Sequence, residues 1–231
     1  MPYFYGYDPY IVLVIPALLF DLYAQFKVKS TFNRYRKYIN SRGLTGADIA
    51  RIILDRNGLY DVAVERVRGE LTDHYDPKTK TVRLSEVVYS SASVAALGVA
   101  AHETGHAVQH KVGYAPLALR SSLVPVAGIG SSFGPYMAIL GLVFGWEPLV
   151  NLGIILYTAA VAFYVVTLPV EFNASARAIS ALETAAIIST DEIIPAKKVL
   201  RAAAMTYVAS AAVALASLLR LVLLAGGRRD D

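Results

Sequence analysis

The sequence contains no cysteine, which excludes a disulfide framework, thiol chemistry and a thiolate-bound metal. Any metal ion held by this chain must therefore be bound by imidazole, carboxylate or hydroxyl groups. Histidine is also scarce, since the 231 residues include only four. Charged residues make up 17% of the chain, whereas a soluble globular domain carries about 25%. This shortage of charge favours a membrane protein.

The charges that are present are unevenly distributed. Of the 22 Lys and Arg residues, 15 lie between Lys27 and Arg120, and residues 121–176 contain none. Basic residues that border apolar runs are typical of the cytoplasmic face of a membrane protein. Because these basic residues are also interleaved with acidic ones, the net charge of +4 does not indicate a nucleic-acid partner. The expected partner of this surface is the lipid bilayer.

Four apolar runs predict about four transmembrane helices, at residues 10–26, 122–145, 149–170 and 203–226. The first run is short and contains Asp21, but no basic segment precedes it and no small-x-small cleavage site follows it. We therefore predict a retained anchor rather than a cleaved signal peptide. The basic residues after this run and at 197–201 place those segments in the cytoplasm and both termini outside, although Arg228 and Arg229 oppose the outside placement of the C-terminus.

The segment between the first two runs predicts a cytoplasmic part with helices and a few strands. LTGADIARIILDRNGL is typical of a helix with Thr45 as N-cap and Gly58 as C-cap. The basic segment before it, STFNRYRKYINSRG, predicts another helix, which ends at Gly43. VAVERVRG alternates like a strand, and TVRL follows a turn signal. SSASVAALGVAAHETGHAVQH is predicted to be helical. The predicted fold class is mainly α, with a small hairpin or sheet before this last helix.

The most informative motif is HETGH, residues 102–106, which matches H-E-x-x-H. On a helix, residues four apart lie on one face about 6 Å apart, so His102 and His106 can bind one zinc ion. Glu103 would then lie beside a zinc-bound water and could accept its proton as a general base. The motif indicates a metallopeptidase. The alternative is a polar helix face without a metal.

A catalytic zinc ion needs a third protein ligand, and the sequence offers several possibilities. His110 lies eight residues after His102, roughly 12 Å along the same helix, which is too far to share one ion. Glu171 returns to the face of the histidines after two spans, and a carboxylate directly after an apolar run is costly without a partner. We prefer Glu171. The alternatives that stay open are His74, Glu183, Asp191 and Glu192.

Three further residues are expected to support the site. Ser175 lies four residues after Glu171 and could orient a ligating imidazole through its second nitrogen. Arg177 could pair with a carboxylate or stabilise the oxyanion of the transition state. His74, beside a turn, could contact the substrate or bond to the backbone.

Several blocks of the sequence resemble the bacterial membrane-bound neutral zinc metallopeptidases of the YugP type. They are LYAQFKVKSTFNRY, GLTGADIARIIL, GELTDHYDP, VRLSEVVYSSASVAALGVAAHETGHAVQH, LRSSLVPVA and LPVEFNASARA, and they run in order over nearly the whole chain. The family is distantly similar to the HtpX-type and CAAX prenyl proteases, which share H-E-x-x-H and a downstream glutamate.

The resemblance implies one zinc ion per chain, held by His102, His106 and Glu171, with Glu103 as the catalytic base. The related proteases have aspartate where this chain has Ser175. YugP-type chains usually have aspartate where Asn173 stands, and because residue 173 points away from Glu171 on a helix we expect little effect on zinc. The resemblance also implies that VAVERVRG and TVRLS could bind an extended peptide by strand addition.

These inferences predict a zinc-dependent endopeptidase of the cell membrane, acting on peptides or membrane proteins at the cytoplasmic surface. The predicted organisation begins with an N-terminal anchor (1–26), a cytoplasmic metalloprotease part (27–120) and a transmembrane hairpin (121–170). A cytoplasmic segment that supplies the third ligand (171–202) and a C-terminal span with its tail (203–231) follow. The alternative is a catalytically silent zinc-binding scaffold, which an intact Glu103 disfavours. The sequence indicates neither the substrate nor the oligomeric state.

Overall fold

The computed structural model describes residues 8–184 and 188–227. The start of the predicted anchor (1–7), the end of the predicted tail (228–231) and residues 185–187 of the predicted ligand-supplying segment lie outside the described residues. Seven helices are described: α1 Ile11–Tyr35, α2 Gly46–Arg56, α3 Glu86–Tyr89, α4 Val94–Lys111, α5 Ala115–Phe144, α6 Glu147–Thr184 and α7 Thr190–Gly226. Three strands accompany them: β1 Ala63–Val67, β2 His74–Asp76 and β3 Thr81–Ser85. The predicted fold class is confirmed.

Four of these helices, α1, α5, α6 and α7, are long and apolar enough to cross a membrane. This number agrees with the prediction, but the helices extend beyond the apolar runs. At 1.5 Å per residue, the 38 residues of α6 span about 57 Å, almost twice the hydrocarbon thickness of a bilayer. The basic segment after the first run is not a separate helix: its residues 30–35 continue α1, since no glycine or proline interrupts the backbone there. The predicted end at Gly43 is wrong, because α1 ends at Tyr35.

The chain divides into two compact units, and the first contains residues 1–25, 118–168 and 206–231. Within this unit α5 and α6 pack with their backbones in contact. A Cβ atom added at Gly130 would lie 2.1 Å from the Leu156 carbonyl oxygen, and one at Gly153 would lie 2.4 Å from the Ala138 nitrogen. Small residues permit such close approach between membrane helices, where van der Waals packing replaces the hydrophobic effect.

The second unit contains residues 26–117 and 169–205 and includes the small sheet. The strand order is β1-β3-β2, with β1 parallel and β2 antiparallel to β3. The predicted turn at Asp76-Pro77-Lys78-Thr79 connects β2 to β3. We did not predict β2, because three residues are too few to show an alternating pattern.

Helix α2 begins as predicted. Thr45 is its N-cap and forms a capping box with Asp48. The C-cap prediction is wrong by one residue: Asn57 is the C-cap, and Gly58, with φ of 63°, follows it in the left-handed region. Helix α4, which carries HETGH, begins at the N-cap Ser93, whose side chain accepts a hydrogen bond from the Ala96 nitrogen. Nearly all of α4 from Val94 to Gln109 is buried.

Candidate metal centre

Three side chains of the second unit meet at one point. Each of His102, His106 and Glu171 contributes one potential ligand atom, and these three atoms lie within 4.8 Å of one another. In the described part of the chain, this is the one group of His and acidic residues that could hold a metal ion. Oε2 of Glu171 lies 3.1 Å from Nε2 of His102 and 3.6 Å from Nε2 of His106. All three residues are buried, and Glu171 is only 2% exposed.

This donor set fits a zinc ion. Two imidazole nitrogens and one glutamate oxygen form the His₂Glu set of catalytic zinc sites, which leave a fourth position for water. Atoms that bind zinc at about 2.0–2.1 Å in tetrahedral geometry lie roughly 3.3 Å from one another. The two glutamate–histidine distances bracket this value. A carboxylate buried this deeply also requires a compensating partner, which an ion would supply.

The local sequence explains how the three residues come together. The four-residue spacing on α4 places the two imidazole rings one turn apart, with centroids 4.8 Å from each other. Gly105 lies between them in the chain and allows α6 to approach. A Cβ atom at this position would lie 2.6 Å from the carbonyl oxygen of Ala174. The absence of a side chain at residue 105 therefore permits the close packing of α4 and α6 that brings Glu171 to the histidines.

The electrostatics of the site favour positive charge on His106. Burial opposes its protonation and is the largest single effect, but the hydrogen bond to Glu171 and the charges of Glu103 and Glu171, with a smaller contribution from Gln109, raise its pKa overall. A proton on the imidazole competes with a metal ion for the same lone pair. The affinity of this group for a metal ion should therefore fall as the pH falls.

Glu103 follows His102 on α4 and is 8% exposed. In the described part of the chain, no hydrogen bond engages its carboxylate. Asp73 is a second carboxyl near enough to interact with Glu103, and the sequence did not reveal it. Burial raises the pKa of Asp73, and the negative charge of Glu103 raises it further. Asp73 accepts hydrogen bonds from the backbone nitrogen and the hydroxyl of Ser85. In the sequence, Asp73 looks like an ordinary turn residue before β2.

The structure separates the residues expected to support the site. The Ser175 hydroxyl lies 3.1 Å from Nδ1 of His102. Arg177 donates from Nε to Oδ1 of Asn173 and lines a cleft of about 300 Å³ whose lining includes none of the three converging residues. His74 bonds through Nδ1 to the Thr72 carbonyl, the backbone role considered for it.

The remaining histidine and acidic residues considered as ligands lie elsewhere. Nδ1 of His110 contacts the Tyr75 hydroxyl at 2.9 Å. Glu183 forms an ion pair with Lys197, and Glu192 accepts hydrogen bonds from the backbone nitrogens of Ser41 and Ser189. Neither glutamate, nor Asp191 or His74, belongs to the converging group.

Gln109 is a further residue of the site that the sequence did not reveal. It is fully buried, and its Oε1 lies 3.0 Å from Nδ1 of His106. From the sequence, no role is predicted for position 109. The available signal is its spacing, because a residue three positions after a ligand lies on the same helix face.

A comparison with known families decides the classification of the chain. The family model described as "Putative neutral zinc metallopeptidase" matches residues 10–226. The chain belongs to this family. A curated relative, the "Putative membrane protease YugP" of Bacillus subtilis (strain 168), is 51% identical over 222 residues, which cover 96% of this chain and 99% of the relative. No solved structure matches. The predicted resemblance to YugP-type neutral zinc metallopeptidases is confirmed.

Proposed function

We propose that the chain is a membrane zinc endopeptidase in which His102, His106 and Glu171 hold the ion and Glu103 is the general base. The observation that carries this proposal is the buried convergence of two imidazoles and a carboxylate from α4 and α6. The family description and the name of the B. subtilis relative support the reaction class. The four long apolar helices support a membrane location.

A zinc ion bound at this group would lower the pKa of a bound water molecule and polarise a peptide carbonyl. Glu103 would take the proton from the attacking water and deliver it to the amine nitrogen as the C–N bond breaks. His102, His106 and Glu171 would hold their positions throughout, since all three are buried in packed helices. The low exposure of Glu103 limits the access of bulk water to its carboxylate.

We also propose that residues 27–120 and 171–202 lie on the cytoplasmic side, so that the active site faces the cytoplasm at the membrane surface. The charge distribution supports this orientation. The substrates would be peptides or membrane proteins bound in extended form by strand addition. Of the two segments considered for this role, β3 already pairs on both edges. The outer edge of β1 is therefore the better position for an added strand.

The experiment measures zinc content and peptide hydrolysis on detergent-purified protein. Wild type should carry about one zinc ion per chain, and Glu171→Ala should lose it. Glu103→Gln should keep the zinc, while hydrolysis of an unstructured protein such as casein falls on the order of 10²–10⁴-fold. His110→Ala is the control, because its Nδ1 contacts Tyr75 rather than the site, and it should keep zinc.

Two outcomes would contradict the proposal in different ways. If Glu171→Ala keeps zinc at wild-type affinity, Glu171 is not a ligand and the assigned site is wrong. If zinc-loaded wild type hydrolyses no peptide substrate and Glu103→Gln behaves identically, the chain is a zinc-binding scaffold rather than a peptidase.

A further inference from the structure

The buried amide of Gln109 connects the histidine of one helix to the backbone of another. Its Oε1 lies 3.0 Å from Nδ1 of His106, and its Nε2 donates to the Val170 carbonyl at 2.8 Å and to Oδ1 of Asn173 at 3.0 Å. All of these groups belong to the second unit, and Gln109 itself has no exposed surface. Three of the amide's hydrogen-bonding positions are therefore used, as expected for a buried polar side chain.

The partners of Gln109 leave it only one orientation. A backbone carbonyl can only accept a hydrogen bond, so the group that faces Val170 must be the NH₂ of the amide. The amide oxygen then faces His106, and an amide oxygen can only accept. Nδ1 of His106 must therefore carry a proton. In the neutral ring the lone pair then resides on Nε2, the nitrogen that lies 3.6 Å from Glu171.

A second anchor leads to the same orientation independently. Nε of Arg177 donates to Oδ1 of Asn173 at 2.8 Å, and a guanidinium can only donate, so the oxygen of the Asn173 amide must face Arg177. The same oxygen faces Gln109, which requires the NH₂ of Gln109 on that side. The donor-only guanidinium and the acceptor-only carbonyl thus fix the same direction for the whole series of hydrogen bonds.

At its Nδ1, His102 lacks such a constraint. Its Nδ1 contacts the Ser175 hydroxyl at 3.1 Å, and a hydroxyl can either donate or accept. The two imidazoles are therefore held differently. The hydrogen bond from Gln109 to Asn173 revises the expectation that Asn173 has little effect on zinc. Asn173 lies away from Glu171, but it is bonded to the residue that contacts His106.

We propose that Gln109, supported by Asn173 and Arg177, is a positioning residue that holds His106 in the Nδ1-protonated tautomer and presents Nε2 to the ion. Its consequence for zinc rests on the proposed function, whereas the tautomer itself does not. Partners of this kind typically contribute 10–100-fold to metal affinity. The loss of Gln109 should therefore weaken zinc binding more than the loss of the Ser175 hydroxyl.

The first test measures zinc affinity by competition with a chromophoric chelator. Gln109→Met, which keeps the length of the side chain, should bind zinc on the order of 10–100-fold more weakly than wild type and should alter the visible spectrum of the Co²⁺-substituted protein. Ser175→Ala should lose less. Wild-type affinity and an unchanged cobalt spectrum in Gln109→Met would overturn the proposal.

A second pair of variants covers the possibility that Gln109→Met does not fold. Asn173→Asp keeps acceptor oxygens for both Gln109 and Arg177 and should bind zinc like wild type. Asn173→Leu removes the acceptor and should weaken binding in the same direction as Gln109→Met. Equal affinities for the Asp and Leu variants would contradict the proposed role of the network.

The tautomer can be read directly without altering the network. In a His74→Gln, His110→Gln background only His102 and His106 remain, and ¹⁵N NMR of ring-labelled histidine distinguishes protonation at Nδ1 from protonation at Nε2. The spectra are recorded at a pH at which the ring of His106 is neutral, where it should carry its proton on Nδ1; a neutral ring protonated at Nε2 instead would overturn the proposal. If the protein binds no zinc, the proposed function fails, but the tautomer in the zinc-free protein still decides this inference.

Discussion

Replacing Gly105 by alanine tests whether the close contact of α4 and α6 sets the geometry of the metal centre. The added Cβ would lie 2.6 Å from the Ala174 carbonyl oxygen, whereas ordinary van der Waals contact begins at 3.4 Å. The two backbones must therefore separate by several tenths of an ångström, because neither atom is the end of a flexible side chain. Ligand distances in a metal site tolerate only about ±0.2 Å.

Gly98→Ala is the matched control, since it lies on the same buried helix. Its Cβ would meet the Ala196 carbonyl oxygen at 3.7 Å, an ordinary contact. Both substitutions gain about 1 kcal/mol of helix propensity, so the difference between them isolates the packing cost. Overpacking typically costs about 1–3 kcal/mol. Gly105→Ala should be less stable than Gly98→Ala by this amount.

The assay compares thermal unfolding and zinc affinity of the two variants in detergent. For a chain of this size, each kcal/mol shifts the melting temperature by about 2–4 °C. Gly105→Ala should melt lower than Gly98→Ala and bind zinc at least about 10-fold more weakly, the low end of what a lost supporting contact costs. If the two variants melt together and bind zinc equally, the contact at Gly105 does not set the geometry of the site.

Three further predictions concern the second unit. Thr45→Ala removes the capping box of α2 and should cost about 1 kcal/mol in thermal unfolding, while Thr45→Ser should not; equal losses would contradict the capping role. Burial raises the pKa of Asp73, so there is a pH range in which the Asp73 carboxyl is protonated in the folded protein but ionised in the unfolded chain. Stability should therefore rise as the pH falls through the raised pKa towards the ordinary value of 3.8, and Asp73→Asn should flatten that part of a melting-temperature profile. Because the pKa of His106 is raised, zinc affinity should decrease as the pH is lowered. Chelator competition across the pH range in which histidine titrates measures this decrease, and an affinity that does not change with pH would contradict the prediction.

The elements that could be predicted from the sequence are those with a strong local signal. Long apolar runs identified α1, α5, α6 and α7, and the Thr45 cap identified the start of α2. The continuity of α1 was missed because a change from apolar to basic residues alters the environment of a helix without interrupting its hydrogen bonds. The parallel pairing of β1 with β3 was missed because it joins segments that only tertiary structure brings together.

The residues of the candidate site also differ in whether a local sequence signal predicts them. The spacing of HETGH is a property of one helix, so it predicted the proximity of His102 and His106. Glu171 is separated from them by α5 and the first part of α6. Its selection depended on a topological argument and on the cost of a carboxylate beside an apolar run. The structure brings the three residues together, while their binding of zinc stays a prediction.

The role of Gln109 shows why the support of a site is harder to predict than its ligands. A ligand must be one of a few residue types, so histidine and glutamate at the right spacing stand out even in an apolar chain. A residue that orients a ligand only has to present a donor or an acceptor, which many side chains can do, and its identity is decided by the partners on the neighbouring helix. Here those partners are the Val170 carbonyl and Asn173, more than 60 positions away along the chain. The direction of each hydrogen bond follows from groups that can only donate or only accept, and these groups meet only after α4 and α6 have packed.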